Sequence, residues 1–138
     1  MKTAQEAYWE SLKGINIKEN ERVIIESKNS GYCYSLARDI TGVNIKTLED
    51  VVLEIKQLNC CYCFARYVRG ANIKAHEEVM LESKNVRYCY WFARDIKDSN
   101  KEELFKVIIE SGDKNYINDF LEDVEFDKEK FANYLLFI

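Results

Sequence analysis

Apolar residues recur through the chain at i, i+3, i+4 and i+7, the spacing of one face of an α-helix. Cys33, Leu36, Ala37 and Ile40 form one such set, and Cys61, Phe64, Ala65, Val68 and Cys89, Phe92, Ala93, Ile96 repeat it. Ile117, Phe120, Leu121 and Val124 continue the theme, and Tyr8, Trp9 and Leu12 carry a weaker copy. A second pattern, Leu48, Val51, Val52, Ile55, alternates with the first. Its copies run through Val23 and Ile24, Val79 and Met80, and Leu104, Val107 and Ile108. Each pair of patterns predicts two amphipathic helices joined by a short turn.

The pairs recur with a fixed period. Arg38, Arg66 and Arg94 are 28 positions apart, as are Cys33, Cys61, Cys89; Tyr34, Tyr62, Tyr90; and Ala37, Ala65, Ala93. Asn16, Asn44, Asn72, Asn100 and Glu26, Glu54, Glu82, Glu110 keep the same step. Residues 32–59 and 88–115 share 12 identities in 28 without a gap. A tandem helical hairpin cannot bury its own apolar faces, and stacking neighbours gives it a continuous core. The expectation is an all-α chain: one right-handed α-solenoid domain over residues 1–138. Its units fall at about 1–31, 32–59, 60–87, 88–115 and 116–138, the first and last acting as caps.

The joints fit. Gly14, Gly42 and Gly70 follow the first helices, and Gly112 follows a second helix, where left-handed residues end helices. Asn29, Asn85 and Asp113 stand where the next first helix starts. Ser99-Asn100-Lys101-Glu102 reads as a capping box opening a second helix. The apolar stretch 130–138 is expected to form a last helix over the open end.

Composition narrows the function classes. The chain has 138 residues, no proline, five glycines and 47% hydrophobic residues, which suits an ordered helical protein. The net charge of −4 is uneven, near neutral through the repeats and acidic after residue 107. That is poor material for duplex nucleic acid, which rewards clustered positive charge. No apolar run approaches a membrane span or a signal peptide, so a cytoplasmic location with reduced thiols is expected.

The theme Tyr32-Cys33-Tyr34 to Asn44, restated as Tyr88-Cys89-Tyr90-Trp91-Phe92-Ala93-Arg94-Asp95-Ile96, resembles uncharacterised tandem helical repeats of low-GC bacteria and their phages. The resemblance covers about residues 14–124. It implies an all-α solenoid of bacterial or phage origin and supplies no activity or site.

Candidate chemistry is sparse. Cys60 and Cys63 have C-x-x-C spacing, able to chelate a metal or form a redox pair, but no second pair or histidine completes a tetrahedral site. Structural thiols are the expectation. His76, the sole histidine, takes the core slot of Leu48 and Leu104, with no nucleophile set beside it. Neither an enzyme nor a cofactor is expected.

The Tyr34–Arg38, Tyr62–Arg66 and Tyr90–Arg94 pairs, each i, i+4, would line up along stacked repeats. They read either as an aromatic–guanidinium rail or as structural ties from each arginine to the Glu26, Glu54, Glu82, Glu110 series. Departures from the period point to contacts instead. Tyr67 replaces Asp39 and Asp95, Arg69 replaces Thr41 and Lys97, Trp91 replaces Ser35 and Cys63, and Arg87 replaces Gly31. Tyr, Trp and Arg dominate protein hot spots.

The expected function is a protein-binding scaffold. A narrower form is a phage or mobile-element inhibitor of a host defence enzyme, similar to anti-CRISPR proteins. Single-stranded nucleic-acid binding through the Tyr–Arg rail is the third reading. Homo-oligomerisation is left open.

Overall fold

A computed structural model describes residues 1–135, apart from the side chain of Tyr134. Leu136, Phe137 and Ile138, expected in the last helix, lie outside the described residues. Among the described residues every regular element is helical. The chain divides into two compact units, residues 1–72 and residue 73 onward.

The first unit holds α1 (Ala4–Leu12), α2 (Ile17–Ser27), α3 (Ser30–Asp39), α4 (Ile45–Ile55) and α5 (Leu58–Tyr67). Helices α1 and α2 pack as a hairpin, as do α3 and α4. Helix α3 adjoins both α1 and α5, while α2 adjoins α4. Ile24, Cys33, Leu36, Leu48, Val52, Cys61 and Phe64 are fully buried between them. Removing each large apolar side chain from water contributes roughly 1.5–3 kcal/mol.

The second unit holds α6 (Ile73–Ser83), α7 (Val86–Asp95), α8 (Lys101–Ser111), α9 (Lys114–Asp123), a 3-10 turn (Lys128–Phe131) and α10 (Ala132–Leu135). Helix α7 packs on α6, α8 and α9, and α8 packs on α6 and α9. Met80, Phe92, Leu104, Ile108, Ile117 and Phe120 fill this core, and His76 is buried with them. Phe105 lies 4.8 Å from both Phe120 and Phe126 and 5.1 Å from Phe131 between ring centroids. That aromatic cluster closes the apolar side of α8 and α9.

Two buried polar ladders hold the hairpins in register. Glu21 and Glu49 in the first unit, and Glu77 in the second, are buried. Their carboxylates accept the backbone N–H of Asn44 (3.1 Å), Asn72 (2.7 Å) and Asn100. Each bond reaches 23 residues ahead. Asn44 and Asn100 are N-cap residues of second helices, so a buried carboxylate fixes a helix start in the following hairpin. The fourth slot of this series holds Phe105, and the aromatic cluster stands there instead. The second ladder is the thiol set. Cys33, Cys61 and Cys89 donate to Ile24, Val52 and Met80 carbonyls at 3.8, 3.7 and 3.4 Å, near the ends of the preceding helices. Burial pushes these three thiols up to about 12, so they act as small core groups with a weak donor.

Helix starts follow the sequence closely. Asn29, Asn44, Asn85, Asn100 and Asp113 each accept an N–H three residues on. The box read at Ser99 is displaced by one: Asn100 is the cap, and Ser99 donates its hydroxyl to the Ile96 carbonyl at 2.7 Å. Second helices end on a left-handed residue, which is Gly112 in α8 but Lys28, Lys56 and Lys84 in the equivalent slots.

Two expectations are corrected. Helix α1 buries Ala7 and Ser11, whereas Trp9 and Leu12 are about half exposed, at 54% and 53%. This helix sits two residues out of step, so Tyr8 does the work that Tyr90 does in the second unit. The arginine ties also differ. Arg38 and Arg94 form ion pairs with the adjacent Asp39 and Asp95, and Glu54 pairs with Lys28.

Candidate functional site

The regular Tyr and Arg side chains are consumed by one another. Arg38 holds Asp39 through two bonds, Nε–Oδ1 at 2.7 Å and Nη2–Oδ2 at 2.8 Å, and donates Nη1 to the Tyr34 hydroxyl at 3.2 Å. Its guanidinium lies 5.0 Å from the Tyr34 ring centroid. Arg94 grips Asp95 in the same way, at 2.8 and 2.9 Å, and lies 5.2 Å from the Tyr90 ring. Arg66 donates to the Tyr62 hydroxyl at 2.8 Å and stacks on Tyr62 and Tyr67. The hydrogen bond from Arg38 is the main cause holding the Asp39 carboxyl below the usual carboxylate range.

The aspartate is shared with the neighbouring first helix. Tyr8 on α1 donates its hydroxyl to Asp39 on α3, and its ring lies 5.7 Å from that of Tyr32. Tyr90 on α7 donates to Asp123 on α9, and its ring lies 5.8 Å from that of Tyr116. Each of these joints therefore has one phenol, one carboxylate and one ring against ring. Burial first, then the facing carboxylate, raises the Tyr8 and Tyr90 hydroxyls above the ordinary tyrosine range.

The α3–α5 joint departs from that plan at three positions. Cys60 stands where Tyr32, Tyr88 and Tyr116 stand in the other units, Tyr67 stands where Asp39, Asp95 and Asp123 stand, and Gly31 occupies the slot of Arg87. The Tyr34 ring is buried against Phe64 at 6.4 Å, but among the described residues its hydroxyl proton has no acceptor. A cleft of about 310 Å³ lies between α3 and α5, lined by Gly31, Tyr34, Ser35, Asn59, Cys60 and Cys63 among others. Ser30 donates its hydroxyl to Gln57 and lies 3.4 Å from the sulfur of Cys60, which lines the cleft. Burial raises the Cys63 thiol above the ordinary cysteine range, and Arg38 meets the cleft wall through its bond to the Tyr34 hydroxyl.

In the second unit the same space is occupied. Arg87 donates Nε to the Tyr116 hydroxyl at 3.3 Å and lies 5.8 Å from the Trp91 ring, which meets Tyr88 edge-on at 5.3 Å. Of the residues singled out by broken periodicity, Tyr67 (53% exposed) and Arg69 are exposed on or just beyond α5, while Arg87 and half-buried Trp91 share one face of α7. Sequence reasoning missed Asp39, Asp123, Tyr8 and the Cys60 exception. The columns 32, 60, 88, 116 and 39, 67, 95, 123 carried the signal.

No group of three or more His, Cys, Asp or Glu side chains converges on a metal position among the described residues. All five cysteines are free thiols. No helix of the described residues is long and apolar enough to cross a membrane. Comparisons with protein families, with curated proteins and with solved structures find no match for this chain.

Proposed function

We propose that the hairpins continue through both units as one right-handed α-solenoid, and that the protein is a non-enzymatic scaffold whose partner is another protein. The observation that carries this reading is the division of labour between regular and exceptional positions. Arg38, Arg94, Asp39, Asp95 and Tyr90 are spent on internal bonds. The exceptions Tyr67, Arg69, Arg87 and Trp91 remain reachable from solvent, and these types supply most hot-spot energy. Capture of a protein from host lysate by the intact chain tests it. Tyr67→Ala or Trp91→Ala is expected to weaken capture at least about tenfold, the loss of one hot spot. Undiminished capture by both variants would remove these residues from the interface.

The inhibitor of a host defence enzyme is a narrower form of the same reading, motivated by the expectation that the repeats resemble uncharacterised repeats of low-GC bacteria and their phages. A protein captured from lysate would have to lose its activity on binding. Single-stranded nucleic acid is disfavoured, because Arg38 and Arg94 each spend two donors on a neighbouring carboxylate rather than offering them to phosphate.

A further inference from the structure

Two cysteines at the α3–α5 joint stand outside the thiol ladder. Cys33, Cys61 and Cys89 turn to carbonyls of the preceding helix and are fully buried. Cys60 and Cys63 line the cleft instead. Both break the 28-residue period: Cys60 takes the column of Tyr32, Tyr88 and Tyr116, and Cys63 that of Ser35, Trp91 and Asp119. They lie three residues apart on α5, a spacing that sets Cβ atoms about 5–6 Å apart. Helical side chains lean toward the helix N-terminus, which carries the Cys63 sulfur toward Cys60. Gly31, with no side chain, forms part of the facing wall, and Cys63 is half-buried and reachable through the cleft.

We propose that Cys60 and Cys63 bind one Cu(I) ion as a two-coordinate dithiolate in this cleft. Among the described residues no third His, Cys, Asp or Glu joins them. Tetrahedral Zn(II) needs four ligands and hard cations need oxygen, whereas soft, closed-shell Cu(I) is held by two thiolates. Binding expels both thiol protons, so a neutral pair becomes a complex of net charge −1. The joint is built to meet an anion. Tyr8 and Tyr90 each donate their hydroxyl to a carboxylate, Asp39 and Asp123. The equivalent Tyr34 is 9% exposed and lines the same cleft. Its proton has no acceptor among the described residues, and Tyr67 stands in the aspartate column. A metal-held thiolate supplies that acceptor. Ser30 on α3 places a second hydroxyl 3.4 Å from the Cys60 sulfur. This inference does not depend on the scaffold reading.

The probe is Cu(I) itself, offered without oxygen to the reduced full-length chain as its coloured complex with bathocuproine disulfonate. The expected result is a loss of colour equal to one ion per chain, with backbone amide shifts confined to α3 and α5. Below the thiol range, affinity should rise about a hundredfold per pH unit, because two protons leave for each ion bound. Cys60→Ser and Cys63→Ser should each lower affinity more than about a hundredfold, and Tyr34→Phe about tenfold, the cost of a lost supporting bond. Cys89→Ala, which removes a ladder thiol of the second unit, should leave affinity unchanged. A chain that takes no copper from the chelator would overturn the proposal. So would a rise of only about tenfold per pH unit, the mark of a single thiol. Full affinity in either serine variant, a comparable loss in Cys89→Ala, shifts outside α3 and α5, or stoichiometric Zn(II) at the same amides would each do the same. The pH slope is read on the unaltered chain, so it decides the matter even where a serine variant does not fold.

Discussion

The α3–α5 and α7–α9 joints share one backbone plan and differ in what fills it. The buried phenol meets the following phenylalanine at the same 6.4 Å in both, Tyr34 with Phe64 and Tyr90 with Phe120. Around that common contact the second unit adds Tyr116, Arg87, Trp91 and Asp123, and the first unit has Cys60, Gly31, Ser35 and Tyr67. One joint satisfies its own hydrogen bonds and rings. The other leaves a donor and a cleft. In a tandem repeat such a contrast is informative, because each unit is a control for the others: the filled joint shows what the open one omits.

The largest test breaks the filled joint from behind. Phe105 braces Phe120 and the α9 helix on which Tyr116 and Asp123 sit. Phe105→Ala should cost about 3–5 kcal/mol by chemical denaturation and loosen α9, with the α3–α5 amide shifts unchanged. Next comes the carboxylate ladder. Glu49→Ala should cost about 1–3 kcal/mol, because the bond from the Asn72 N–H to a buried carboxylate is lost.

Glu77, the rung of the second unit, has a pH signature. Burial raises its carboxyl above the usual glutamate range. The protonated form is thus favoured in the folded state, and this contribution is present at acid pH and lost as pH rises through that range and beyond. Glu77→Gln keeps the acceptor and should flatten that part of the stability profile, measured by denaturation between about pH 4 and 8.

Smaller effects sharpen the contrast between joints. Tyr90→Phe deletes the bond to Asp123 and should cost about 1 kcal/mol, whereas Tyr34→Phe should cost less, its hydroxyl having no acceptor among the described residues. The smallest test concerns left-handed helix ends. Lys56 holds φ 59° where the second unit has Gly112 at 72°. Lys56→Gly should stabilise by about 0.5 kcal/mol and Gly112→Lys should destabilise by about 1 kcal/mol, read as shifts in thermal midpoint.

The helical hairpins were legible because two signals coincided: apolar spacing chose the faces, and the 28-residue step placed Asn44, Asn85 and Asn100 at helix starts. The Glu21, Glu49, Glu77 ladder was not legible. A glutamate in an amphipathic helix reads as surface, and only its distance to a backbone N–H in the following hairpin shows otherwise. The face of α1 was misread for a related reason. Its apolar residues Trp9 and Leu12 satisfy a helical spacing, yet the small Ala7 and Ser11 permit closer approach and took the inside. At the candidate site, Tyr67 stood out as a bulky exception, while Cys60 hid inside a cysteine-rich run that resembled the thiol ladder. Sequence counted what had been added; the cleft comes from what had been taken away.

The Glu-to-Asn bond has a consequence for how such a chain can change length. Each bond joins residues 23 apart, less than one 28-residue step, and both partners recur with that step. Loss or duplication of one whole step of the gene re-forms every bond across the seam, so no carboxylate is stranded in the interior. Recombination between neighbouring copies therefore meets little selection against it until Phe105, where the series stops. The number of hairpins is a variable that inheritance can adjust, and the identity of each joint a text that point mutation can edit one rung at a time.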